Sequence, residues 1–60
     1  MTLRAARVNK GLSIKEVAAA LKVNPSTVYS WEQGRNEPSA KAFVKLCKLY
    51  GQPCDNIFLP

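Results

Sequence analysis

The sequence predicts an all-α chain of five short helices, on three observations. Apolar residues recur three and four positions apart, no stretch alternates at period two long enough for a strand, and Gly and Pro fall where helices end and begin. Gly11, Gly34 and Gly51 each stand where a helix stops, because a left-handed residue past a C-terminus is least costly as glycine. Pro25 opens a helix, Pro38 halts the chain before a Ser39 cap, and Pro53 begins a final short turn.

The first helix runs from about Thr2 to Lys10 and ends at Gly11. The second starts at Ser13, where Glu16 completes the capping-box pattern, and it buries Val17, Ala18 and Leu21. Lys22 and Val23 follow, then Asn24-Pro25, a good N-cap before the residue best tolerated at the first helical position. The third helix, Pro25–Gln33, buries Val28 and Trp31 and turns Ser26, Ser30 and Gln33 outward, with Tyr29 beside them. The break before it is too tight for an antiparallel pair. Two amphipathic helices so joined, the second with a short uncharged polar face, predict a helix-turn-helix that docks in a DNA major groove. The Ser39–Tyr50 helix places Phe43, Leu46, Cys47 and Tyr50 on one face and Lys41, Lys45 and Lys48 on another. Cys54, Ile57 and Phe58 make a last helical turn folded back on the core. Val17, Val28, Trp31 and Phe43 are core residues without direct function.

Sixty residues predict one domain, 1–60, with a small core and little room for a second activity. Nine Lys and Arg against four Asp and Glu give a net charge of +5, a surplus that favours polyanions. There is no long apolar run and no basic leader ahead of one, which predicts a cytoplasmic protein without membrane contact, and DNA binding would make it nucleoid-associated. The chain lacks histidine, a glycine-rich phosphate loop and any acid, base and nucleophile set, so no enzyme, cofactor or small-molecule ligand is expected. Cys47 and Cys54 cannot complete a structural zinc site. They read as small core residues, with a disulfide or redox switch as the alternative.

The pattern Leu3, Arg7, Gly11-Leu12-Ser13, Val17-Ala18, Leu21, Val23, Ser26-Thr27-Val28, Trp31-Glu32-Gln33-Gly34 and Pro38-Ser39 resembles the Cro/CI-type, XRE-like helix-turn-helix family. The ending Leu46, Leu49-Tyr50-Gly51, Asp55 and Ile57-Phe58 resembles that family's last two helices. The likeness covers nearly the whole chain. It implies a five-helix, lambda-repressor-like bundle and a sequence-specific, usually dimeric transcriptional regulator of a phage, mobile element or bacterium, a repressor before an activator. It further implies an ion pair between Arg7 and Glu32, partly buried, that fixes how the recognition helix leaves the bundle.

Three departures from the family pattern bear on the site. Lys22 stands where the family usually has a turn glycine, and a left-handed lysine there costs on the order of 1 kcal/mol. Ile14 replaces a glutamine whose amide reaches a DNA phosphate, so that contact passes to Lys15, to Ser13 or to the bare amides at the helix start. Pro25 replaces a long polar base reader and offers a thymine methyl only an apolar surface.

On this reading Pro25, Ser26, Thr27, Tyr29 and Ser30 face the bases of double-stranded DNA, Tyr29 reaching either a base edge or a phosphate. Ser13, Ile14, Lys15, Gln33, Arg35 and Asn36 lie toward the phosphates. Lys41 either joins them or is one more solvated charge. No Arg or Lys can bracket a guanine, so direct readout is modest and DNA shape contributes heavily. The rival function is an adaptor or antitoxin acting mainly through protein–protein contact. A two-fold operator needs a dimer, and Ile57, Phe58 and Leu59 offer a small symmetric patch for a homodimer weak in free solution, unless they only seal the core.

Overall fold

Ile14, Val17, Ala18 and Leu21 recur at helical spacing. In the computed structural model, which describes every residue from Met1 to Pro60, they form the inner side of one helix. The element order is α1 (Leu3–Asn9), α2 (Ile14–Leu21), α3 (Pro25–Gln33), α4 (Ala40–Tyr50) and a 3-10 turn at Cys54–Asn56. The architecture is all-α; the only β-type pairing is one isolated parallel bridge between Thr2 and Phe58. α2 packs against both α3 and α4, α1 against α3, and the 3-10 turn against α4.

Leu3, Val17, Val28 and Leu46 are fully enclosed at the centre, with Ala6, Ala18, Trp31, Cys47, Tyr50 and Ile57 around them. Each large member contributes about 2 kcal/mol by leaving water. Phe43, expected in the core, is half-buried and packs on its edge. Cys47 is buried and Cys54 half-buried, both as free thiols.

The expected fifth helix is instead the three-residue 3-10 turn Cys54–Asn56. Pro53 has no N–H to extend α4, and Ile57 is already extended, at φ −112° and ψ 125°. Ile57 is buried, but the chain then runs beside the N-terminus, with the Phe58 N–H donating to the Met1 carbonyl at 2.8 Å. Phe58 is therefore turned outward, 66% exposed, and not folded onto the core.

The helix starts are locally encoded, with one exception. Thr2, Ser13 and Ser39 each accept a backbone N–H three residues on, and Ser13 with Glu16 forms the full capping box. Asn24 holds the N-cap position of α3 but makes no side-chain cap bond.

All four helices close in the same way. A paired set of bonds runs from the two residues past each end, as in Leu12 N–H to Arg7 O (3.1 Å) and Gly11 N–H to Val8 O (2.9 Å). The motif needs a left-handed residue, which is glycine in three helices and Lys22, at φ 58° and ψ 44°, in α2. Val23 N–H then reaches Ala18 O at 3.0 Å, which turns the chain from α2 into α3 within three residues.

The direction of α3 is set from behind by Arg7. Its Nε donates to Glu32 Oε2 at 2.7 Å, its Nη2 to Glu32 Oε1 at 3.3 Å and its Nη1 to the Leu12 carbonyl at 3.0 Å. The Arg7 side chain is 13% exposed and that of Glu32 3%. One guanidinium thus joins α1, the α1–α2 loop and the last turn of α3. The Glu32 hydrogen bond raises the Arg7 pKa above its ordinary value, against the effect of burial. Burial, and then the negative charge of Glu32, push the neighbouring Tyr50 hydroxyl up to about 12, so it stays neutral beside the pair.

Two stability measurements follow. Lys22→Gly relieves the left-handed strain and should stabilise by about 1 kcal/mol, raising Tm by roughly 4–8 °C in a domain of this size. An unchanged Tm would show that the lysine side chain offsets the strain. Arg7→Ala should cost about 3 kcal/mol in urea denaturation, because it strands a desolvated carboxylate. A variant as stable as the parent would remove the pair from its structural role.

Candidate nucleic-acid interface

A helix of nine residues can bury one stripe and offer the other. Val28 and Trp31 anchor α3 to the core, while Pro25, Ser26, Tyr29 and Gln33 are exposed and Thr27 and Ser30 half-buried. Ser26, Tyr29, Ser30 and Gln33 follow the i, i+3, i+4, i+7 rule and so share one side of the helix. That side carries hydroxyls, an amide and one ring, Tyr29, which is 45% exposed. It carries no charge, so it can approach base edges without desolvating an ion.

The head of this helix has no side-chain cap, and the Thr27 N–H donates to the Asn24 carbonyl at 2.9 Å. Pro25 has no N–H, Asn24 leaves its side-chain amide free, and no acid lies in the first turn. Reading the sequence missed that Asn24 leaves its cap unmade. Asn-Pro is the signature of a satisfied N-cap, and nothing in the letters separates a capping asparagine from a free one.

The start of α2 is different. Ser13 Oγ accepts the Glu16 N–H at 3.1 Å, and Glu16 Oε1 accepts the Ser13 N–H at 2.9 Å. These bonds hold the Glu16 carboxyl below its usual pKa, so it is ionised at neutral pH and occupies the electropositive end of α2. Ser13 has one hydroxyl proton left to offer and Ile14 only its backbone amide. Lys15, exposed in the same turn, supplies the cation.

Past α3 the loop is pinned at two points. Pro38 is buried, and a Cβ at left-handed Gly34 would lie 3.1 Å from Pro60 Cβ. Between these points Arg35 and Asn36 are exposed, and neither side chain has a hydrogen-bond or ion-pair partner. Lys41 stands in the first turn of α4, which has no acid, so lysine and helix terminus present positive charge together. Lys15, Arg35 and Lys41 are thus free cations on the segments that flank α3 in sequence.

No helix is long and apolar enough to cross a membrane. No curated protein and no solved structure matches the chain. A family profile described as helix-turn-helix matches residues 3–57, which takes in all four helices and the 3-10 turn. The chain belongs to the Cro/CI-like helix-turn-helix family, a family of DNA-binding regulators.

Proposed function

We propose that this chain binds double-stranded DNA sequence-specifically as a transcriptional regulator, with α3 in the major groove, and represses by occupying its site. One observation carries the reading: the exposed side of α3 is a short uncharged polar stripe on a helix whose opposite side is locked into the core. Pro25, Ser26, Thr27, Tyr29 and Ser30 meet base edges. Ser13, Ile14 through its amide, Lys15, Gln33, Arg35, Asn36 and Lys41 meet phosphates. Serine hydroxyls accept either donor or acceptor edges, so they discriminate less than a bidentate side chain, and groove width and bending add the remainder.

Modest readout per half-site calls for two copies. Phe58, 66% exposed, and Leu59, 37% exposed, form the patch that a second copy covers, while buried Ile57 seals the core and takes no part. The dimer forms on DNA, where the two half-sites hold both copies close together.

Selection of random duplex DNA by the purified chain tests the reading. The expected product is an inverted repeat with half-site centres about 34 Å apart, or a multiple of that spacing. Affinity should fall steeply with salt, and a salt-indifferent chain that enriches no sequence would instead be a protein-binding adaptor or antitoxin. Phe58→Asp should weaken binding to the full repeat about tenfold or more while leaving a single half-site unchanged. Equal loss on both would remove the patch from the dimer.

A further inference from the structure

Away from α3, the end of α2 and the second half of α4 leave an open groove of ≈ 390 Å³, lined by Ala20, Leu21, Lys45, Lys48 and Leu49. Its floor is apolar and its rim cationic. Lys45 and Lys48 are one helical turn apart, about 4.5 Å along the axis, and Leu49 lines the groove with them. Neither lysine is neutralised. The single ion pair of the molecule is Arg7–Glu32, and α4 contains no acidic residue. Of the four acids in the chain, Glu32 is held by that pair and Glu16 by its capping box.

We infer that this groove docks an acidic amphipathic segment of a protein partner, its apolar side chains on Leu21 and Leu49 and its carboxylates on Lys45 and Lys48. Charge complementarity selects the occupant. A second copy of this chain, at net charge +5, would bring more cations to two unpaired lysines. A DNA backbone would satisfy the lysines but leave the apolar floor unfilled. A helical segment with acids three or four residues apart and leucines between them matches both rim and floor. No residue of α3 lines the groove, so the segment can sit on a DNA-bound protein. The inference stands whether or not the DNA reading does.

A library of random linear peptides, selected against the full chain, supplies the probe. Enriched peptides are then titrated by fluorescence anisotropy and mapped by amide chemical shifts. Acidic peptides with spaced leucine or phenylalanine should emerge and shift the amides of Ala20, Leu21 and Lys45 through Leu49. They should bind about tenfold or more weakly to a Lys45→Glu/Lys48→Glu variant. Ala20→Glu, which places a carboxylate at the groove wall without touching the core, should reduce binding in the same direction. No acidic enrichment, equal binding to these variants, or shifts elsewhere would overturn the inference. A duplex DNA that shifts the same amides and displaces the peptides would assign the groove to nucleic acid.

Discussion

The Arg7 guanidinium is the interaction on which the placement of α3 depends. A nine-residue helix with only Val28 and Trp31 fully inside has a short lever on the core, and two apolar anchors leave rotation about their common line open. The fork from Arg7 to Glu32 removes that freedom, because a bidentate contact fixes both distance and orientation. Its third bond, to the Leu12 carbonyl, holds the loop that leads into α2. One side chain therefore constrains both members of the helix pair. In a core this small the constraint comes from geometry as much as from energy, since ion-pair attraction and desolvation largely cancel.

The same economy governs the helix ends. Local stability and phosphate binding compete for the N-termini, since each exposed amide can satisfy a cap or an anion but not both. In α2 the capping box takes the Ser13 and Glu16 amides and leaves the Ile14 amide, the Ser13 hydroxyl proton and the Lys15 ammonium without a partner. In α3 no side chain caps the head, but Pro25 has no N–H and the Thr27 N–H donates to the Asn24 carbonyl at 2.9 Å, which leaves the Ser26 amide alone without a partner.

Much of this was legible in the letters. Ser13 with Glu16, Ser39 after Pro38, and glycine after three of the helices mark ends that the structure places within a residue, because caps and closures are set by a few neighbouring atoms. Lys22 in the left-handed turn was readable only through the family resemblance, which usually has glycine there. What escaped depends on the meeting of distant segments. The tail after Pro53 has apolar residues at helical spacing, yet Phe58 binds the Met1 carbonyl and goes outward, an outcome decided by where the N-terminus lies. Pro60 over Gly34, Tyr50 beside the Arg7–Glu32 pair and the groove between α2 and α4 likewise exist only in three dimensions. Asn24 escaped for a subtler reason: its letter states a capacity to cap, and only coordinates show the capacity unused.

The distribution of charge connects the two surfaces. A regulator that relied on arginine forks to read guanine would need its cations on α3, and this chain places none there. Lys15, Arg35 and Lys41 lie on its flanks, Lys45 and Lys48 on the outer side of α4, and the other four cations are Arg4, Arg7, Lys10 and Lys22. Flanking cations act on any phosphate backbone and so supply affinity and orientation without sequence preference. On the proposed reading the uncharged stripe supplies the difference between sites, and a difference of a few hydroxyl bonds is small for one copy. It doubles in free energy when two copies bind together, so discrimination squares while each copy stays weak. Lys45 and Lys48 fall outside that scheme. They border apolar side chains that no phosphate can cover, which is why their charge is better matched by a carboxylate carried on a protein.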